Sequence, residues 1–214
     1  ARGYRIEKLT MTERMFVKIA ALPSLRLTVE AHGLMAKKAL GQNFLLDQNI
    51  TDKIINLSLQ KQNKKDFSGA NVFEVGPGPG GLTRAVLAAE PKSLTVVEMD
   101  ERCIAIMNEI KEKTGDILHI INGDAMQTDF SDLAPAPRHI VSNLPYNISV
   151  PLLVGWLKNI NAYDSLTLMF QKEVAERITA PIKTKDYGRI SVLSQLQCRI
   201  DHLLDLNPCC FTPA

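Results

Sequence analysis

The chain has 214 residues, of which 45% are hydrophobic and 22% charged, and its formal net charge is +2. This length and composition are typical of one globular domain with a sizeable core. No apolar run approaches the roughly 18 residues of a membrane span. Residues 11–22 carry too many charges for the apolar core of a secretory signal. We therefore expect a protein without a membrane partner.

The small net charge hides an asymmetry along the chain. Residues 1–65 contain 12 Lys and Arg against 5 Asp and Glu, whereas residues 66–214 contain 13 against 18. A basic N-terminal part followed by an acidic remainder is typical of proteins that bind a polyanion with one side of their surface. We expect the basic N-terminal segment to contact nucleic acid; a basic helix face that meets only solvent is the alternative.

The cysteines and histidines indicate neither disulfides nor a metal site. Cys103, Cys198, Cys209 and Cys210 form no C-x-x-C pair, and the four histidines lie far apart in the sequence. This pattern predicts reduced thiols, a cytoplasmic protein and no metal. Import into mitochondria would require residues 1–22 to serve as a transit peptide, for which their acidic residues are poorly suited.

From residue 71 onwards, apolar runs of strand length alternate with helical patterns, whereas residues 1–22 show no clear period. The predicted strands are 71–75, 93–99, 117–121, 138–142, 165–170 and a last one within 200–206. The predicted helices are 23–32, 49–59, 81–89, 101–113, 173–179, 190–198 and one that Ser149 and Pro151 open at N-cap-like and N1-like positions. This alternation predicts an α/β fold with a mostly parallel sheet and helices on both faces.

A glycine-rich turn follows the first of these strands. Gly76, Gly78 and Gly81 satisfy the G-x-G-x-x-G fingerprint of dinucleotide-binding proteins, so the glycines alone leave a nicotinamide dehydrogenase open. Glu98, at the end of the second strand, fits this class and other nucleotide-binding enzymes, because a carboxylate there binds a ribose diol.

Two further strand ends separate these classes. Asp124 follows the third strand and can accept a hydrogen bond from an adenine amine. Asn143 follows the fourth strand and begins the sequence Asn-Leu-Pro-Tyr, in which the proline holds Leu144 extended. The amide oxygen and a neighbouring carbonyl can accept the two hydrogens of a flat amine, and Tyr146 can stack on its ring. An enzyme that modifies a base outside the helical stack needs this arrangement; a proline turn with a core tyrosine is the alternative.

Six segments together resemble the small-subunit rRNA adenine dimethyltransferases of the KsgA type, over about residues 37–213. They are GQNFL at 41–45, E-x-G-x-G-x-G at 74–80, E-x-D at 98–100, GDA at 123–125, NLPYNIS at 143–149 and FQKEVAER at 170–177. The resemblance implies the Rossmann-like fold of class I methyltransferases, which use S-adenosylmethionine and no metal. It also implies methyl transfer to the exocyclic amines of two adjacent adenosines, giving dimethyladenosine in small-subunit rRNA during subunit biogenesis.

The resemblance also assigns roles to individual residues. The cofactor-binding residues it implies are Gln42, Asn43, Leu45, Gly76, Gly78, Glu98, Asp124, Ala125 and Asn143. The residues that would grip the target adenine are Asn143, Leu144, Tyr146 and Phe170, the last as a second aromatic wall. The implied partner is rRNA of the small subunit or a pre-subunit particle, and we expect the protein to be a monomer.

The resemblance divides the chain into three parts. Residues 1–36 are expected to form a basic N-terminal extension with an entry helix, and residues 37–206 the S-adenosylmethionine-dependent methyltransferase domain. Residues 207–214 are expected to begin the connection to a last strand and a small helical domain, which the family has and this sequence lacks.

Two other functions stay open besides the dehydrogenase. One is a large-subunit rRNA adenine methyltransferase of the erythromycin-resistance type, which shares the 170–174 segment loosely. The other is a non-catalytic assembly or transcription factor that binds nucleic acid on the same fold. The acidic residues and the amide at the strand ends disfavour the non-catalytic factor.

Overall fold

The structure is a computed structural model that describes residues 8–34 and 42–212. The helices in this part of the chain are α1 Met11–Ala20, α2 Leu25–Ala31, α3 Gln48–Lys61, α4 Gly81–Ala88, α5 Glu101–Thr114, α6 Phe130–Leu133, α7 Ser149–Lys158, α8 Lys172–Thr179 and α9 Arg189–Gln197. The strands are β1 Phe44–Leu45, β2 Asn71–Val75, β3 Ser93–Glu98, β4 Leu118–Asn122, β5 Arg138–Asn143, β6 Ser165–Met169 and β7 Phe211–Thr212. Short 3-10 turns occupy Ala125–Gln127, Ile160–Ala162 and Pro208–Cys210.

Five strands form a parallel sheet in the order β4-β3-β2-β5-β6. Neighbouring residues on β2 point to opposite faces of the sheet, as the strand period requires. Val72 belongs to the core cluster that includes α3, α4 and α5, whereas Phe73 packs in a second cluster with α6 and α7. The predicted α/β fold with helices on both faces of a parallel sheet is therefore confirmed.

Helix α1 was not predicted from the sequence. Thr10 and Glu13 form a capping box at its start: the Glu13 amide donates to Thr10 Oγ1 over 3.2 Å, and the Thr10 amide donates to Glu13 Oε2 over 2.8 Å. The helix packs against α4 and α5, and Ile19 contacts the main core. Phe16 and Val17 stay exposed, whereas Met15 and Ile19, which lie four residues apart, are partly buried.

A buried arginine connects α4 to the segment around α2. Arg84 is 5% exposed, and its guanidinium donates to the Pro23 carbonyl over 2.6 Å and to Thr28 Oγ1 over 3.3 Å. Burial lowers the pKa of Arg84. The segment that contains α2 is thus fixed to the sheet domain by hydrogen bonds from a buried cation to neutral acceptors.

Three predictions about elements were wrong or incomplete. Residues 200–206 form no strand, because they pair with no neighbouring strand. Helix α7 has Ile148 at its N-cap, so Ser149 is its first residue, and the Ser149 hydroxyl donates to the Tyr146 carbonyl over 3.1 Å. The antiparallel pair β1–β7 was not predicted, because two-residue strands leave no alternating pattern. Among the described residues, no helix combines the length and hydropathy that a bilayer crossing requires.

Candidate active site

A cavity of about 290 Å³ opens at the edge where the parallel strands end. Its lining includes residues 42–45, the end of β2 with the glycine turn that follows it, the end of β3, residues 123–126, residues 143–148, Thr51 and Met169. The segments at the ends of the sheet strands meet because parallel strands place their carboxyl ends at one edge. Every site residue predicted from the sequence lines this cavity except Phe170.

Phe170 lies just beyond β6 and packs with the apolar clusters around α7, α8 and α9. Its neighbour Met169 lines the cavity instead. Phe170 is thus absent from the cavity lining, although it packs against the apolar cluster that contains the predicted site residue Leu144.

The glycine turn allows three segments to approach each other. Gly76 and Gly78 have φ of 63° and 54°, a region that favours glycine. A Cβ at Gly78 would lie 3.0 Å from two ring carbons of Phe44, and one at Gly76 would lie 3.3 Å from Pro145 Cγ. The turn therefore gives the cavity a wall of main-chain atoms, closed on two sides by Phe44 and Pro145.

Glu98 presents a buried carboxylate at the end of β3 and is 8% exposed. Its Oε1 accepts hydrogen bonds from the main-chain amides of Met99 (2.8 Å) and Asp100 (2.9 Å), and the Gly78 amide also donates to this carboxylate. Burial raises the pKa of Glu98, whereas the three amides act in the opposite direction. The side chain is thus held in one orientation beside the glycine turn.

Glu74 was quoted only as part of a motif in the sequence analysis, yet it also lines the cavity. Its side chain is 2% exposed and accepts a hydrogen bond from Thr83 Oγ1 over 2.7 Å. Burial raises the pKa of Glu74 to about 8, and the nearby negative charge of Glu98 acts in the same direction. An acidic residue inside an otherwise apolar strand was the sequence signal for this position.

Asp124 begins the 3-10 turn after β4 and is partly exposed. Its Oδ1 accepts from the Met126 amide over 2.8 Å, and the Gln127 side chain lies 3.5 Å from Oδ2. The carboxylate therefore has a defined direction at the mouth of the cavity and keeps room to accept further hydrogen bonds.

Gln42 is connected to the start of α5. Its Nε2 donates to Asp100 Oδ2 over 3.3 Å, and Arg102 Nη2 contacts the same oxygen at 2.6 Å. The Arg102 hydrogen bond is the main cause that lowers the pKa of Asp100 to about 2. The segment before β1 is thus anchored to a charged pair beside the cavity.

Asn143 ends β5, and its Nδ2 donates to the main-chain carbonyl of Asn43 over 3.0 Å. The next residues form a turn in which the Ile148 amide donates to the Pro145 carbonyl over 3.2 Å. Leu144 is 1% exposed, and burial raises the pKa of the partly buried Tyr146. This turn fixes an amide, a main-chain carbonyl and an aromatic ring at one side of the cavity.

Residues 33–214 match the model of a protein family described as ribosomal RNA adenine dimethylase. The chain belongs to this family. The resemblance stated from the sequence motifs is therefore confirmed, and the class I methyltransferase fold that it implied agrees with the parallel sheet described above.

Three relatives of this family member, two from bacteria and one from a eukaryote, illustrate the similarity. The chain is 48% identical to ribosomal RNA small subunit methyltransferase A of Gluconobacter oxydans, covering 90% of this chain and 62% of that protein. It is 46% identical to the protein of the same name from Paramagnetospirillum magneticum, covering 91% and 67%. A dimethyladenosine transferase structure from Plasmodium falciparum superposes with a TM-score of 0.67 at 30% identity, covering 78% and 57%. The chain thus spans about two thirds of the length of the two bacterial relatives.

Within residues 8–34 and 42–212, no group of three or more His, Cys, Asp or Glu side chains is arranged to hold a metal ion. The chemical groups that line the cavity include two buried carboxyls, one partly exposed carboxylate, several side-chain amides and the main chain of a glycine turn.

Proposed function

We propose that this protein transfers methyl groups from S-adenosylmethionine to the exocyclic amines of two adjacent adenosines in small-subunit rRNA, giving dimethyladenosine during biogenesis of that subunit. The observation that carries this proposal is the Asn143–Tyr146 turn, which lies in the same cavity as Glu98 and Asp124. The family membership and the names of the bacterial relatives support it.

The lining residues fit S-adenosylmethionine by their chemistry. Glu98 would hold the ribose hydroxyls, Asp124 would accept from the adenine amine, and the main chain at Gly76 and Gly78 would bind the methionine end. Both glycines have a positive φ and pack closely against Phe44 or Pro145, so this main-chain turn requires glycine at the two positions. The remaining contacts would come from Gln42, Asn43, Leu45, Ala125 and Asn143, which also line the cavity. When bound, S-adenosylmethionine supplies a methyl group that its positive sulfur has already activated.

The protein's part in the reaction is to prepare the target nitrogen. The lone pair of an adenine amine is delocalised into the ring, which makes the amine a poor nucleophile. Hydrogen bonds accepted by Asn143 Oδ1 and the Leu144 carbonyl would favour a pyramidal nitrogen whose lone pair points at the methyl group. As the N–CH₃ bond forms and the S–CH₃ bond breaks, this arrangement acts by positioning and electrostatic stabilisation.

Tyr146 would stabilise the extruded base by stacking. Such stacking contributes about 1–3 kcal/mol per base, comparable with the few kcal/mol that extrusion costs. Asn143 carries no charge, so we expect the amine proton to leave to water after methyl transfer. The role of Phe170 as a second aromatic wall stays a prediction.

The first test is tritiated-methyl transfer from S-adenosylmethionine to isolated small and large ribosomal subunits. Label in small-subunit rRNA that maps to dimethyladenosine is the expected result. Label in the large subunit would instead identify an enzyme of the erythromycin-resistance type. S-adenosylmethionine binding without label in either subunit would favour a non-catalytic assembly factor.

The second test is the variant Asn143→Ala. We expect methyl transfer to fall by about 100-fold or more, because the amine loses an acceptor that acts in the transition state. Binding of S-adenosylmethionine, measured by calorimetry, should weaken only partly. The control Asn56→Ala changes an exposed asparagine on α3 and should keep full activity. Near-normal transfer by Asn143→Ala would disprove the proposed grip on the amine.

A further inference from the structure

The proposed function requires Asn143 to present its oxygen to the target amine, yet a side-chain amide has a donor end and an acceptor end of nearly equal size. The two orientations differ only in their hydrogen-bond partners. Asn143 Nδ2 lies 3.0 Å from the main-chain oxygen of Asn43. A carbonyl oxygen only accepts hydrogen bonds, so the reversed amide would bring two acceptors into contact.

We propose that the main-chain carbonyl of Asn43 is a positioning group that turns the Asn143 amide so that Oδ1 faces the target amine. This inference rests on the proposed function and adds a group that does not itself touch the substrate amine. Asn43 lies 100 residues before Asn143 in the sequence, so only the fold brings the two together.

The Asn43 carbonyl can act in this way because its segment is held on the following side by β1. Phe44 and Leu45 are 6% and 5% exposed, and they pair in antiparallel fashion with Thr212 and Phe211. The Phe44 ring lies over Gly78, where a Cβ would come within 3.0 Å of it. A loose loop would not give the carbonyl a defined position.

The segment is also held on the preceding side. Gln42 donates to Asp100, which is paired with Arg102 through a 2.6 Å contact. Arg102 Nη1 in turn lies 3.3 Å from the Gly33 carbonyl. Asn43 therefore lies between a charged anchor at the start of α5 and a buried two-residue strand, and its carbonyl points at the end of β5.

The direct test observes the hydrogen bond in the full chain without RNA. With ¹⁵N and ¹³C labelling, the Asn143 side-chain signals are assigned by their loss in Asn143→Ala. We expect a through-hydrogen-bond coupling between Asn143 ¹⁵Nδ2 and the Asn43 carbonyl carbon, and slow exchange of one Nδ2 proton with solvent. Exchange as fast as that of the exposed Asn56 amide, with no coupling, would overturn the proposal.

The kinetic test uses Asn143→Asp, followed by methyl transfer between pH 6 and pH 8. The ionised carboxylate has only acceptor oxygens, so it would place an acceptor against the acceptor carbonyl of Asn43. The protonated carboxyl can donate to that carbonyl and present its other oxygen to the target amine, as the Asn143 amide does. Activity should therefore be low at pH 8 and rise about tenfold or more towards pH 6, relative to the unmodified protein. A flat profile, or activity that rises with pH, would contradict the proposed orientation.

The two tests separate this inference from the function on which it rests. A detected Asn143–Asn43 coupling in a protein that methylates neither subunit would leave the hydrogen bond in place and disprove the proposed function. Normal small-subunit methylation without the coupling would disprove the positioning role alone.

Discussion

At the scale of single residues, the buried side chain of Glu74 should make the stability of this fold depend on pH. It lies in the middle of β2, between Phe73 and Val75, and its side chain is 2% exposed. Burial raises the pKa of its carboxyl from 4.5 to about 8. Between these two values the native protein keeps a proton that the unfolded chain has released. Stability must therefore fall as pH rises through this window.

Replacing Glu74 by glutamine should remove this pH dependence. The contribution of Glu74 to the wild-type free energy of unfolding should decrease between pH 5 and pH 8, with a slope that approaches about 1.4 kcal/mol per unit. Burial lowers the pKa of His139 to about 4, which acts in the opposite direction below its ordinary value of 6.5, so the Glu74 contribution is read as the difference between the wild type and the variant. Glu74→Gln keeps an oxygen that can accept from Thr83 but has no proton to lose, so its stability should change much less. Urea unfolding at both pH values measures the difference.

The matched control is Glu112→Gln on α5, which removes an exposed carboxylate and should keep the wild-type pH dependence. A Glu74→Gln protein that loses stability from pH 5 to pH 8 as steeply as the wild type would show that Glu74 does not hold its proton in the folded state.

Among the structural elements, the junction of β2 and α4 depends most strictly on glycine. Gly80 occupies the N-cap of α4 with φ of 87°, and no side chain caps this helix. A Cβ there would lie 2.6 Å from Ile110 Cδ1 and 2.9 Å from Met107 Cε, which are buried side chains of α5. Both the backbone conformation and the available space therefore exclude a larger residue.

Two glycine substitutions should change stability in opposite directions. Gly80→Ala should destabilise the protein by more than about 1–2 kcal/mol, since it combines backbone strain with a core clash. Gly155→Ala should stabilise by up to about 1 kcal/mol, because Gly155 lies inside α7, is exposed and has no atom near its Cβ position. Thermal unfolding of both variants tests this, and equal effects at the two sites would contradict the assigned environments.

Local sequence patterns were sufficient to predict some helices and strands of this protein and not others. The predicted bounds of the sheet strands agree with the structure to within one residue, because each is a short apolar run between turn residues. Helix α1 was not predicted, although the Thr10–Glu13 capping box and the four-residue spacing of Met15 and Ile19 are local signals for a helix. The predicted strand at 200–206 was wrong because apolar residues form a strand only where a neighbour offers backbone partners.

At the scale of the whole molecule, the cavity is formed by segments that lie 100 residues or more apart in the sequence, as Asn43 and Asn143 do. To place a base in the cavity, the proposed rRNA partner would have to lay its phosphate backbone against other parts of the protein surface. The excess of basic residues in the first 65 positions makes the N-terminal part a candidate for such contacts. Arg14, Lys18 and Arg26 are exposed on α1 and α2.

Neutralising these three residues to glutamine should weaken binding to a small-subunit rRNA fragment and reduce its salt dependence. Each lost phosphate contact should lower the slope of log Kd against log salt by about 0.7–0.9. The control changes Lys92, Lys113 and Lys158 to glutamine, which removes the same charge from three exposed positions outside α1 and α2. Equal salt slopes for the two triple variants would show that the N-terminal helices do not contact RNA.

The sequence, through its periodicity and its family resemblance, was sufficient to predict the α/β fold and eleven of the residues that line the cavity. Glu98, Asp124 and Asn143 could be found because each lies at or shortly after the end of a predicted strand, and parallel strands bring their carboxyl ends to one edge. These are consequences of local periodicity and of a general rule about sheets, so they need no knowledge of distant contacts.

Only the tertiary structure decided the features that depend on contacts between distant segments. The side on which Phe170 packs, the burial that raises the pKa of Glu74, and the pairing of β1 with β7 leave no local signal in the sequence. The same is true of the hydrogen bond from Asn143 to Asn43, which assigns a direction to the amide. A side chain's environment is set by what packs against it, and that depends on segments the local pattern does not contain.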